Sequence, residues 1–137
     1  MAAPVPGRIV RASIERQDTY LAWSDGSAIG SLAVYWADPT FWGHQPPDAG
    51  YVHRLVVTRE AGGRGHGARL LDWAADRVRA RGRHWLRLDC AAGNTTLRAF
   101  YERLGFRHVG DVEVTVPGAG TGPGSWWASR YQRPVPP

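Results

Sequence analysis

Apolar and polar residues change their rhythm several times along this chain, and each change marks an element. The run TYLAWSDGSAIGSLAVYW, from Thr19 to Trp36, alternates about Asp25 and Gly26, the period-two pattern of two antiparallel strands joined by a tight turn. A further strand is expected in YVHRLVVT, with Tyr51, His53 and Leu55 sharing one face. A glycine-dense turn then opens a helix expected from about Gly65 to Arg81, whose Leu71, Ala74, Ala75 and Val78 form one apolar stripe and which Gly82 stops. HWLRLDC reads as the next strand, and a strand, helix, strand series of this length implies a parallel pair with a right-handed crossover. Asn94 caps a second helix in which Leu97, Phe100, Tyr101 and Leu104 recur at i, i+3, i+4 and i+7, closed by Gly105. FRHVGDVEVTV and WWASRYQR, on either side of a Gly/Pro-rich loop, predict a closing antiparallel pair. At the start, RIVRASIERQ reads as a short helix, and ADPTFWGHQPPDAG, aromatic and proline-rich without a period, reads as a loop.

Composition narrows the class. A chain of 137 residues with 43% hydrophobic and 21% charged residues suits one folded domain over residues 1–137. The basic residues are all arginine and outnumber the acidic ones, 17 to 12, a balance that favours an anionic ligand and, with the alanine, glycine and proline excess, suggests a GC-rich bacterial genome. Arg77, Arg79, Arg81 and Arg83 are interleaved with Asp72, Asp76 and the packed stripe, so a solvated helix face explains them better than nucleic-acid binding does. One cysteine, Cys90, permits no internal disulfide. No apolar run spans a bilayer and MAAPVPGR lacks the apolar core of a signal peptide, so the expectation is a cytoplasmic protein without a membrane partner.

The chemistry is concentrated in VVTREAGGRGHG and the helix behind it. A strand that feeds a glycine turn at a helix N-terminus presents a row of backbone N–H groups suited to phosphate. A nucleoside-triphosphate loop needs a lysine followed by Ser or Thr, and this chain has no lysine. Gly63, Gly65 and Ala68 satisfy the dinucleotide fingerprint, with Asp89 some way beyond, but TREAG intervenes between strand and glycines and only one crossover follows. VVTREAGGRGHGARLL followed by GNTTLRAFYERLGFRHVG resembles motifs A and B of the GNAT superfamily of acyl-CoA-dependent N-acyltransferases, from about Ala33 to the C-terminus. Gly65 and Gly67 match the motif's glycines, Asn94 precedes Tyr101 at the family's interval, and Gly62 stands where the motif has Arg or Gln, with Arg64 and Arg69 able to supply charge nearby.

The resemblance implies a mixed α/β, mostly antiparallel sheet flanked by helices, with a central parallel pair splayed at the site of acetyl-CoA. It also implies an N-terminally shortened fold, lacking the family's first strand and first helix, with an exposed edge around Tyr20 to Trp23. A covering partner, such as a second copy in a homodimer, is one answer to such an edge. By the same resemblance, main-chain groups of Leu55, Val56 and Val57 pair with the pantetheine arm and stabilise the oxyanion, and Gly62, Gly63, Arg64, Gly65, His66, Gly67 and Ala68 surround the diphosphate. Asn94 adds a contact to the pantetheine, and Tyr101 protonates, or hydrogen-bonds to, the leaving sulfur. On spacing alone Tyr101 is equally a core aromatic and Asn94 first an N-cap.

The activity implied is acetyl transfer to a primary amine, of a small molecule or a peptide N-terminus, by direct attack in a ternary complex. The rival is a non-catalytic domain that binds acyl-CoA or docks a partner, which a missing first strand and helix would favour. His53 is the candidate base, since an imidazole suits the removal of an ammonium proton, although a satisfied core histidine fits the same position; Asp89 and Asp48 are the reserves. Trp36, Asp38, Phe41 and Trp42, with Asp89, are candidates to receive a cationic acceptor. No metal-ligand spacing involves His44 or His66.

Overall fold

The structure is a computed structural model that describes residues 8–14, 17–24, 26–59, 62–115 and 125–137. In chain order the elements are β1 (Arg8–Ile14), β2 (Gln17–Ser24), β3 (Ser27–Tyr35), α1 (Pro39–Trp42), β4 (Ala49–Val57), α2 (His66–Ala80), β5 (Trp85–Ala91), α3 (Thr95–Arg103), β6 (Arg107–Thr115) and β7 (Ser125–Pro134). One seven-stranded sheet has the order β1-β2-β3-β4-β5-β7-β6. Among the described residues only β4 and β5 run parallel, as a crossover through α2 requires.

The N-terminal helix expectation is overturned. RIVRASI forms β1, which pairs antiparallel with β2 from Arg8↔Trp23 to Ile14↔Gln17. Spacing of Ile9, Val10, Ala12 and Ile14 satisfies a strand as readily as a helix turn, and pairing with an open edge decides between them. The edge expected to be bare at Tyr20 to Trp23 is therefore covered within this chain, and the first strand is present. Since Ile14 and Gln17 are paired, no helix intervenes between β1 and β2.

The core lies on the helix face of the sheet. Leu70, Leu71, Ala74, Ala75 and Val78 of α2 pack with Leu32 and Val34 of β3, Leu86 and Leu88 of β5, and Tyr131 of β7, so the expected stripe is buried as a unit. Burying each large apolar side chain contributes roughly 1.5–3 kcal/mol. Helix α2 ends where Gly82 adopts φ 75°. On the other face a smaller cluster gathers Trp42, Ala49 and Tyr51, with Tyr35, Phe41 and Trp85 against it. The proline-rich segment expected to be a loop thus contributes the short helix α1, which roofs that second face.

Strand β4 departs from regular geometry at one point. Its pairing with β3 shifts between Ser31↔Val56 and Ala33↔His53, leaving two residues of β4, Arg54 and Leu55, opposite Leu32 of β3. Arg54 adopts φ 53° there, a β-bulge with its extra residue in the left-handed region. The bulge reverses the alternation: Tyr51 lies in the second cluster, whereas Leu55 and Val57 pack on the main core. Tyr51, His53 and Leu55 do not share a face, because period two fails across an inserted residue.

Candidate active site

Strands β4 and β5 pair only at Ala49↔Trp85, Gly50↔Leu86 and Tyr51↔Arg87. Beyond Tyr51 and Arg87 they separate, so the parallel pair is splayed as expected. Among the described residues the β5-facing main chain of Val52 to Val57 and the β4-facing main chain of Leu88 to Ala91 are left without a strand partner. The wedge opens at the carboxyl ends of two parallel strands, where open α/β sheets receive ligands.

Behind the wedge stands the N-terminus of α2. Gly63 and Gly65 take φ 75° and 76°, the left-handed conformation that glycine adopts without a Cβ penalty. Gly65 occupies the N-cap position, no side chain caps the helix, and no acidic residue lies in its first turn. The amide of Gly62 is spent on the carbonyl of Arg59 at 3.1 Å. Among the described residues the amides from Gly63 to Ala68 find no acceptor, so a 15-residue helix directs an uncapped, positive end outward. Gly67 faces Phe100 of α3 at ordinary van der Waals distance. His66, in the first turn, is buried, and its Nδ1 is sealed from solvent without a hydrogen-bond partner among the described residues.

Helix α3 carries Asn94 and Tyr101. The Asn94 side chain accepts from the Leu97 amide at 3.1 Å, fulfilling the N-cap role. Tyr101 is 6% exposed and packs among Phe100, Phe106 and Tyr131. The core-aromatic reading holds, and its hydroxyl forms no hydrogen bond among the described residues. Burial, and then the neighbouring Cys90 and Asp89, push its pKa up to about 12, so the phenol keeps its proton at any physiological pH. Burial likewise raises the Cys90 thiol, which leaves it a packed, inert residue.

On the opposite face, His53 Nε2 lies 2.8 Å from Asp38 Oδ2. Asp38 comes from the turn before α1 and is 7% exposed. Asp89, on β5 beside the wedge, completes a cluster in which one ligand atom from each of the three residues falls within 4.8 Å of the others. Desolvation pushes Asp89 up to about 6, the His53 charge opposing and the Asp38 charge adding to that shift. Near pH 7 it is ionised, at a cost the fold bears.

The remaining candidates divide. Phe41 lies 6.0 Å from the His53 ring, centroid to centroid, and belongs to this site. Trp42 is 4% exposed and packs on Tyr51 under the guanidiniums of Arg87 and Arg130, a structural position. Trp36 lies beneath Arg81 and Arg83 and lines a cavity of about 470 Å³ with Asp38, Pro39, His44, Pro46 and Tyr51. Asp48 engages the amides of His84 and Trp85 through its carbonyl at the other end of β4. Val56 is exposed, whereas Leu55 and Val57 turn inward. Arg64 is exposed in the glycine turn, and Arg69 lies one turn into α2. Two residues escaped the sequence reading: Tyr35, whose ring lies 4.3 Å from that of His53, and Trp126, 5.8 Å from Phe41. Tyr35 could have been found from β3–β4 register; Trp126 could not, because β7 returns from far along the chain.

No helix is long and apolar enough to cross a membrane. Against known proteins, residues 4–106 match the acetyltransferase (GNAT) family. An uncharacterized N-acetyltransferase of Bacillus subtilis (strain 168), YesJ, is 39% identical over 74 residues, covering 53% of this chain and 41% of its own. The chain thus spans about two fifths of that relative's length. Nourseothricin acetyltransferase superposes with a TM-score of 0.67 at 26% identity, over 88% of this chain and 66% of that one. A GNAT family acetyltransferase from Elizabethkingia anophelis, solved with acetyl-CoA bound, gives a TM-score of 0.67 at 15% identity over 88% and 77% of the two chains.

Proposed function

Because the chain belongs to the acetyltransferase (GNAT) family, we propose that it transfers the acetyl group of acetyl-CoA to an amine by direct attack in a ternary complex. The observation that carries this reading is the wedge beyond Tyr51 and Arg87, with uncapped α2 amides behind it, a protonated phenol on one side and the Asp38–His53 pair on the other. The diphosphate is held by amides between Gly63 and Ala68, helped by the α2 dipole. The pantetheine enters as an added strand, pairing with main chain around Leu55, Val56 and Val57, and Asn94 contributes from the head of α3. One N–H of that stretch stabilises the carbonyl oxygen as it gains charge, a contact typically worth roughly 3 kcal/mol.

The acceptor arrives as an ammonium. His53, oriented by Asp38, takes one proton and releases it to solvent. The nitrogen lone pair then attacks the thioester carbon, the C–S bond breaks, and the second proton leaves nitrogen as sulfur gains one. Tyr101 donates a hydrogen bond to the departing sulfur; with its pKa near 12 it steadies a thiolate more readily than it surrenders its proton outright. The products are an N-acetyl amide and free coenzyme A.

The non-catalytic rival rests on a missing first strand and helix; β1 supplies the strand, while β1 and β2 follow one another without a helix between them. Calorimetry with acetyl-CoA followed by a thiol-release assay over a panel of amines tests the proposal. Binding with turnover on at least one amine, cut roughly 100-fold or more in His53→Ala, is expected; binding without turnover on any acceptor contradicts it.

A further inference from the structure

The charge pattern around His53 selects among amines, and the inference rests on reading this face as the acceptor side of the acetyl-transfer site. Of the two carboxylates in the cluster, Asp38 is engaged by His53. Asp89 accepts no hydrogen bond and forms no ion pair among the described residues, although it is held within 4.8 Å of both and half-buried. A carboxylate so placed needs a donor from outside. The surroundings are aromatic: Tyr35 stacks on His53, and Phe41 bridges His53 and Trp126.

Beyond the rings the sign of the charge reverses. Arg54 donates to Tyr35 Oη at 2.7 Å, on the rim. Arg87, buried, donates to Tyr51 Oη and Gln132 and lies 4.9 Å over Trp42. Arg130 donates to the Val109 carbonyl and lies 5.4 Å over the same ring. The partners of these last two are neutral, and the Nε of Arg130, unpartnered among the described residues, is sealed from solvent, out of reach of a ligand. Negative potential is thus confined to one spot, walled by rings and fringed by guanidiniums.

We propose that the acceptor is a monoamine with an apolar or aromatic body, its single ammonium seated against Asp89 and Asp38 and its body between Phe41, Tyr35 and Trp126. A carboxylate on the carbon bearing the amine would enter the field of two aspartates, where like charges repel strongly, so free α-amino acids are rejected. A second ammonium further along the acceptor would meet the arginine fringe, so polyamines gain nothing from their extra charge. The rings add cation–π attraction to the ammonium and bury the body.

Tyramine, tyrosine and spermidine separate these cases by charge. Binding is measured by calorimetry to the full chain saturated with coenzyme A, which permits no turnover, and acetylation is measured separately with acetyl-CoA. Tyramine is expected to bind on the order of 100-fold more tightly than tyrosine and more tightly than spermidine. Asp89→Asn should weaken tyramine about 10-fold or more and shrink its margin over tyrosine. Phe41→Ala should weaken tyramine but not methylamine. Tyrosine or spermidine binding as tightly as tyramine overturns the proposal, as does an unchanged margin in Asp89→Asn or no binding by any amine. If tyramine leads in binding and no amine is acetylated, the transfer reading falls and the acceptor class stands; if acetylation proceeds with tyrosine preferred, the reverse holds.

Discussion

Tyr101 joins two environments, which is why its spacing admitted two roles. Its ring fills the gap between Phe106 and Tyr131, while its hydroxyl is uncommitted among the described residues. Tyr101→Phe keeps the ring and removes only the hydroxyl, so acetyl-CoA affinity should be nearly unchanged while kcat drops roughly 10- to 100-fold. An unchanged kcat would take the phenol out of the reaction. Asp89 makes a stability prediction of definite sign. Its pKa rises from 3.8 in the unfolded chain to about 6 in the fold, so the folded state binds the proton more tightly. Stability from this group is complete below pH 4 and is lost as pH climbs through 6. Asp89→Asn carries no such penalty. It should be more stable than the parent at pH 7, by roughly 2 kcal/mol after allowance for solvent screening, and equal to it near pH 4. Thermal melts at the two pH values check this; equal stability at pH 7 would mean that the carboxylate is not desolvated.

At the scale of elements, the segments with an uninterrupted period were legible and those shaped by distant pairing were not. The stripe of α2 and the Asn94 cap of α3 depend on neighbours three and four residues away, so spacing alone specified them. β1 is ambiguous in sequence because seven residues with scattered apolar positions satisfy either period, and only the edge of β2 chooses. The bulge at Arg54 left no trace in composition, since arginine has no preference for a positive φ. Yet that inserted residue reverses the faces of Leu55 and His53 at the mouth of the wedge. The glycine turn was legible because its requirement is local: Gly63 and Gly65 need left-handed backbone, and nothing else fits as cheaply. Gly65→Glu adds a strained residue and a carboxylate where the diphosphate is proposed to sit. It should weaken coenzyme A binding by about 100-fold or more in a calorimetric titration, and retention of parental affinity would count against that loop as the anion site.

Across the whole molecule, one sheet is asked to do three jobs. Its helix face supplies the core, its second face carries the Asp38, His53 and Asp89 cluster under α1, and the gap in its centre separates the strands. The family and the glycine loop could be read from motifs in sequence order. The acceptor side could not, because Tyr35, Asp38, Phe41, Asp89 and Trp126 lie on separate elements brought together only by strand order. The account depends on coenzyme A occupying the gap between β4 and β5. A crystal structure of the protein grown with coenzyme A tests this most directly: density for the diphosphate within hydrogen-bonding distance of amides between Gly63 and Ala68, and for the pantetheine alongside Leu55 to Val57, is the predicted result. Coenzyme A bound elsewhere, with the wedge closed or empty, would contradict it.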